Sequence, residues 1–259
     1  MKATPIFENE RIRIYYEVIG SGLPLVFLHP PGMGHLTFRH QRQLAASYRL
    51  IFLDLPNSDR HAQVADHTVE SYAALVYELI EALELVKVVV CGYSNGGSIA
   101  QEFAIRYPER TAGVILIGGF SEVSTFLLKK QFQLGIWTAE KGLLPLFSFI
   151  LSRSHFETKK ERQEMARMIK TIDPQALKQA YEHGMTYTAT DRLHRISAPV
   201  LLIYGRLDFY IRSYLLPFCA RLKDVDVVFV SDVAHQIPTK RAHECNAIID
   251  QWLKRKVTE

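Results

Sequence analysis

With 259 residues, 48% of them hydrophobic and 22% charged, the chain has the composition of an ordered globular protein, which excludes wholesale disorder. Its net charge of +4 and pI near 8.9 are mild and evenly spread, which excludes a nucleic-acid binder held by bulk electrostatics. The length suits one large α/β domain or two small ones, with room for a substantial core.

In chain order, Arg11 to Val18 alternates partly (Ile12, Ile14, Tyr16 and Val18 on one face), the pattern of a half-exposed strand closed by Gly20-Ser21-Gly22. Leu25 to Leu28 is a short buried strand running into H-P-P-G-M-G (His29 to Gly34). Leu36 to Ser47 reads as a helix and Leu50 to Leu53 as a buried strand ending at Asp54. The loop Pro56 to Asp66 is polar and irregular. From Thr68 to Leu83, Val69, Tyr72, Ala73, Val76, Leu79, Ile80 and Leu83 recur at helical spacing, with Thr68 as N-cap. After Val88 to Val90 and the turn around Ser94, Ile99, Phe103 and Ile105 share a helix that ends before Pro108; Val114 to Ile117 is the next strand.

The texture then changes. From Glu122 to Arg195 no strand-like run occurs and helical, Phe- and Met-rich segments dominate. The basic cluster Lys159, Lys160, Arg162, Arg167 and Lys170 is interrupted by Glu161 and Glu164, as on a solvated helix face. Alternation resumes with strands at Val200 to Tyr204 and Val225 to Val230 and helices at Ser213 to Leu222 and Thr239 to Lys254. Strands alternating with helices predict an α/β fold with a mostly parallel sheet covered on both faces. The expected division is a core of residues 1–121 and 196–259, with 122–195 as a helical cap inserted over one edge.

The most informative stretch is V-K-V-V-V-C-G-Y-S-N-G-G, Val86 to Gly97. A buried strand stops at Cys91-Gly92, and a Gly pair opens a helix, so G-x-S-x-G is centred on Ser94 between strand and helix. Glycines on both sides remove the Cβ atoms that would collide in so tight a turn. The helix start directs free N–H groups and positive dipole at the same spot, which suits a nucleophile developing an oxyanion. Catalytic groups in open parallel sheets gather beyond the carboxyl ends of the strands. Two such ends supply partners: Gly205-Arg206-Leu207-Asp208, and S-D-V-A-H-Q with His235. His235 is the candidate base for the Ser94 proton and Asp208 the candidate orienter of the imidazole.

Taken together, H-P-P-G-M-G, D-L-P-N-S-D, G-Y-S-N-G-G, Y-G-R-L-D and A-H-Q-I-P resemble the α/β-hydrolase fold superfamily over nearly the whole chain. The resemblance implies a sheet of about eight strands, a cap over the pocket and a Ser94-Asp208-His235 triad. Many relatives carry H-G-x after the first buried parallel strand, and the N–H of x binds the oxyanion; here Pro30 and Pro31 stand there, and proline has no N–H. Gly32 then supplies the donor if the loop is shifted by one, with Asn95 giving the other. Asn57 stands where relatives often have glycine.

Glu122 is the alternative acid, at a position where some relatives place it. His29 would orient the oxyanion loop, and His243 reads as structural. Most cap aromatics would be packing, with Met33, Phe120, Phe126, Trp137 and Phe209 lining an apolar pocket. The implied activity is hydrolysis of carboxylic esters or thioesters with a small-to-medium apolar acyl group, through an acyl-enzyme on Ser94. Alternatives on the same triad are C–C bond cleavage, lactone hydrolysis or a lyase step; another is a non-catalytic small-molecule receptor. The expected partner is a small-molecule substrate, with no cofactor, metal, nucleic acid or membrane span. Leu143 to Leu151, the longest apolar stretch, falls far short of the ~20 residues a span needs. Cys91, Cys219 and Cys245 show no disulfide or metal spacing, so buried or inert thiols are expected. The amino-terminal stretch lacks a signal-peptide core, and the expected location is cytoplasmic.

Overall fold

The computed structural model describes residues 6–8, 13–55 and 67–257. Among them, strands β1 (Ile6–Glu8), β2 (Arg13–Ile19), β3 (Pro24–Leu28), β4 (Arg49–Leu53), β5 (Val88–Tyr93), β6 (Thr111–Ile117), β7 (Val200–Gly205) and β8 (Val225–Val230) form one sheet. Its order is β1-β2-β4-β3-β5-β6-β7-β8. Pairing is antiparallel at β1–β2 and β2–β4 and parallel from β4 across to β8.

The sheet divides the core in two because side chains alternate along a strand. Val26, Leu28, Val90, Leu116 and Leu202 face one side; Phe27, Cys91, Ile117 and Ile203 face the other. The first face packs against α1 (Val69–Ala82) and α2 (Gly96–Arg106), and the second receives Phe38, Leu44, Ile249 and Trp252. Thr68 caps α1 by accepting the N–H of Ser71, as its hydroxyl allows.

Three predicted helices take a different form. Leu36 to Ser47 is a 3-10 winding over His35–Ala46, broken at Phe38, whose ring is wedged against Phe27 at 5.1 Å. The carboxyl-terminal helix is two, α8 (Ile237–Lys240) and α9 (Ala242–Lys256), separated by Arg241 at φ −129° and ψ 45°. The segment from Ser213 starts with a 3-10 turn, Arg212–Tyr214, before α7 (Leu215–Arg221).

Between β6 and β7 lie α3 (Phe126–Glu140), α4 (Leu144–His155), α5 (Lys159–Ile169) and α6 (Pro174–Thr186), then a 3-10 turn at Thr190–Arg195. Thr125, Thr158 and Asp173 cap α3, α5 and α6 through their side-chain oxygens. The returning end of this helical segment is anchored to α2. Glu102, fully buried, accepts hydrogen bonds from Arg106 Nε (2.6 Å) and Tyr187 Oη (2.9 Å) and pairs with the Arg192 guanidinium (2.8 Å). Among the described residues no helix is long and apolar enough to cross a membrane.

Candidate active site

The strand order turns outward in both directions from β3 and β5, and the loops after these two strands meet at that switch point. Ser94 follows β5 directly, with φ +53°. The left-handed conformation costs a non-glycine residue about 1–2 kcal/mol. Neighbouring glycines allow it. A Cβ on Gly92 would lie 2.5 Å from the Gly96 carbonyl oxygen, and a Cβ on Gly96 would enter the carbonyl of Leu28. The Ser94 N–H donates to Ile117 O across the sheet (2.9 Å), and its carbonyl accepts the Gly97 N–H (2.9 Å). Its hydroxyl makes no hydrogen bond among the described residues and borders a cavity of about 140 Å³.

His235 borders the same cavity. Its Nδ1 lies 2.7 Å from Oδ2 of Asp208, which is 1% exposed. Loop closure behind the pair is tight: Leu207 N–H donates to Val233 O, and Arg206 N–H to Val230 O. Gly118, at φ +58°, makes room for the imidazole; a Cβ there would stand 2.7 Å from His235 Cε1. Sequence positions 94, 208 and 235 thus reach one rim, with His235 and Asp208 in direct contact. Glu122 is elsewhere engaged, accepting from the hydroxyls of Thr188 (3.2 Å) and Thr190 (2.8 Å). His243 is exposed on α9.

The loop after β3 turns at Pro30-Pro31-Gly32-Met33, where the Met33 N–H donates to Pro30 O (3.3 Å) and Gly32 has φ +82°. Proline second and a positive-φ glycine third is what a type II turn favours. The N–H groups of Gly32 and Asn95 have no acceptor among the described residues. Asn95 borders the Ser94 cavity, whereas Gly32 borders an adjoining pocket behind Pro31. His29 is buried and braces this loop: Nδ1 is 2.9 Å from Pro30 O, and Nε2 accepts the Leu55 N–H at 2.9 Å. Asp54 takes both the His35 N–H (2.7 Å) and Nδ1 (2.8 Å). Although burial opposes it, the His35 contacts hold the Asp54 carboxyl down at about 2. Asn57 lies outside the described residues.

Of the expected pocket residues only Met33 lines the cavity. Phe126, Trp137 and Phe209 are 71%, 48% and 69% exposed, and Phe120 is core, its ring edge-on to Phe132 at 5.9 Å. The reason is helix phase. On α3 the buried stripe is Leu128, Phe132, Gly135 and Ala139, and Phe126 and Trp137 fall off it. Leu128, Phe132 and Leu151 form the apolar wall instead. Polar lining residues that residue type and spacing did not single out include Gln131, Ser154, His155, Tyr181 and Tyr210. His155 is buried at the end of α4, where burial, with the nearby charges of His235 and Lys240, pushes it down to about 3. Tyr210 Oη donates to Gln131 Oε1 (3.0 Å), and burial raises the Tyr181 phenol.

Cys91 and Cys245 are buried, which raises both thiols, while Cys219 is exposed. Among the described residues no group of His, Cys, Asp and Glu is arranged to hold a metal ion.

A family model described as the alpha/beta hydrolase fold matches residues 24–238. A pimeloyl-[acyl-carrier protein] methyl ester esterase of Nitrosospira multiformis is 25% identical over 248 residues, covering 87% of this chain and 92% of the relative. A 2-hydroxy-6-oxononadienedioate/2-hydroxy-6-oxononatrienedioate hydrolase of Escherichia coli is 25% identical over 274 residues, covering 95% and 93%. Among solved structures, a thermophilic esterase from Thermogutta terrifontis superposes with a TM-score of 0.80 at 22% identity, covering 94% of each chain.

Proposed function

Because this chain belongs to the α/β hydrolase fold family, we propose that it is a serine hydrolase of carboxylic esters or thioesters with a small-to-medium acyl group. The supporting observation is the contact of His235 Nδ1 with buried Asp208, on a cavity shared with a left-handed Ser94. In this reading Ser94 Oγ attacks the ester carbonyl while His235 Nε2 takes its proton. Asp208 holds the Nδ1–H tautomer and stabilises the imidazolium. Negative charge on the tetrahedral oxygen falls to the N–H of Asn95, at the amino end of α2; the Gly32 N–H, on the adjoining pocket, joins it when the loop after β3 shifts towards Ser94. The imidazolium then protonates the departing alcohol or thiol. Water, deprotonated by the same imidazole, releases the acid from the acyl-enzyme.

The Ser94 hydroxyl and the His235 imidazole border one cavity without a hydrogen bond between them, and such bonds often tighten only in the Michaelis complex. Residues 122–195 act as the cap, α3, α4 and α6 supplying the wall of Leu128, Phe132, Leu151 and Tyr181. A cavity of about 140 Å³ suits short acyl chains. The test is stopped-flow hydrolysis of p-nitrophenyl butanoate. Wild type gives a burst and steady turnover; Ser94→Ala gives no burst and loses at least about 10⁴-fold in kcat. Turnover by Ser94→Ala equal to wild type refutes the nucleophile, and binding without turnover by wild type favours a receptor.

A further inference from the structure

The wall of the Ser94 cavity contains a hydrogen-bonding group that the proposed hydrolysis does not use. His155, 4% exposed, packs on the same Tyr93 ring as His235, with centroids 6.0 and 5.2 Å away respectively. Its Nδ1 lies 3.2 Å from Thr239 Oγ1, and the Thr239 hydroxyl donates to Gln236 O at 3.2 Å. A threonine hydroxyl has one proton to give. Two acceptors at 3.2 Å compete for it, Gln236 O and His155 Nδ1; where the proton goes to Gln236 O, Thr239 Oγ1 accepts and His155 Nδ1 carries the hydrogen. Nε2 is then an unprotonated acceptor with no partner among the described residues, on a ring that lines the cavity.

Burial keeps this imidazole neutral, so it offers a lone pair and no charge. The rest of the lining agrees. Among the described residues around the cavity there is no Lys, Arg, Asp or Glu to meet an ionic substituent. Once a bound acyl group shuts water out of the cavity, an acceptor left unpaired is costly, and a site built around one discriminates against ligands that cannot donate to it.

Resting on the serine-hydrolase reading, we propose that the substrate is a short hydroxyacyl ester or thioester whose hydroxyl donates to His155 Nε2. His155 is thus a specificity-determining residue, and Thr239 the residue that sets its tautomer. The two imidazoles flank one aromatic ring, so the hydroxyl belongs a few bonds from the ester carbonyl, as in a 3-hydroxyacyl group. Carboxylate-bearing acyl groups are disfavoured, because no Lys or Arg among the described lining residues pairs with a negative charge.

The experiment compares kcat/KM for p-nitrophenyl 3-hydroxybutanoate, 3-methoxybutanoate, pentanoate and the succinate monoester. The hydroxy ester should exceed the methoxy ester, which accepts but cannot donate, by about tenfold or more, and the succinate monoester should be slowest. In His155→Leu the hydroxy-to-methoxy ratio should collapse towards one, and His155→Gln, whose amide oxygen replaces the acceptor, should recover part of it. Equal rates for the two wild-type esters, or a preference that survives His155→Leu, overturn the proposal while leaving Ser94-dependent hydrolysis intact. Should Ser94→Ala match wild type, or no ester turn over, the hydrolase reading fails, and the subsite is judged by calorimetry on wild type. There 3-hydroxybutanamide should bind about tenfold tighter than 3-methoxybutanamide, and equal affinity overturns it.

Discussion

Gly118→Ala displaces the candidate base without touching its chemistry. The added Cβ would stand 2.7 Å from His235 Cε1 and 2.9 Å from Nδ1. Carbon atoms rest at about 3.5 Å, so the imidazole must retreat by about 0.8 Å. It cannot retreat freely, since Nδ1 is held at 2.7 Å by an Asp208 carboxylate fixed in the buried loop after β7. Either that contact stretches or the ring leaves the Ser94 cavity. A misplacement of about 1 Å costs on the order of 10²-fold in rate. The backbone at φ +58° adds about 1–2 kcal/mol of left-handed strain to stability. Gly142→Ala separates the two effects, because Gly142 has φ +64° but nothing within 4 Å of where its Cβ would stand, giving the strain with no collision. Steady-state p-nitrophenyl butanoate hydrolysis and urea unfolding on both variants are the assays. Gly142→Ala should lose about 1–2 kcal/mol and Gly118→Ala at least that much, and only Gly118→Ala should lose about 10²-fold in kcat. Full kcat in folded Gly118→Ala would refute the role of His235.

Glu102→Gln removes the charge that gathers Arg106, Arg192 and Tyr187 and so joins α2 to the end of the helical segment between β6 and β7. Both arginines keep partial access to water, so stranded charge adds little, and a loss of about 2–3 kcal/mol in urea-unfolding free energy is expected. His155 gives a pH signature: its folded value is about 3 against 6.5 for the free side chain. Between those values the unfolded chain binds a proton that the folded one refuses, so wild-type stability falls as pH drops from 6.5 towards 3. The contribution approaches about 1.4 kcal/mol per pH unit. His155→Gln lacks that proton, so its stability relative to wild type should rise as urea titrations move from about pH 7 to about pH 4; a constant difference contradicts the assignment.

The parallel core was legible because its strands are short apolar runs bounded by turn residues, and burial on both faces demands that pattern. The sharp turn at Ser94 was legible for a steric reason: only glycine tolerates positions 92 and 96. The positions of Asp208 and His235 followed from strand ends, a topological argument that needs no side-chain detail. The pocket failed where it rested on residue type alone. Leu128, Phe132, Gly135 and Ala139 mark the buried face of α3 at helical spacing, a signal present in the sequence, and it excludes Phe126 and Trp137. No such signal identified α4, which buries Leu144, Ser148, Ser152 and His155 while exposing Leu146, Phe149 and Ile150. Of these only His155 borders the Ser94 cavity, and Ser148 and Ser152 donate to Pro145 O and Phe149 O of their own helix, so which side of α4 turns inward is a tertiary fact. The break at Phe38 has the same origin, since the ring's packing against Phe27 across the sheet face overrides a regular helix.

The most direct test of the account is mass analysis of the chain quenched during turnover of p-nitrophenyl butanoate. A single butanoyl group is expected, mapped by peptide sequencing to Ser94 and absent from Ser94→Ala. An adduct on another residue, or continued turnover with no covalent intermediate under conditions that trap the wild-type burst, would contradict it.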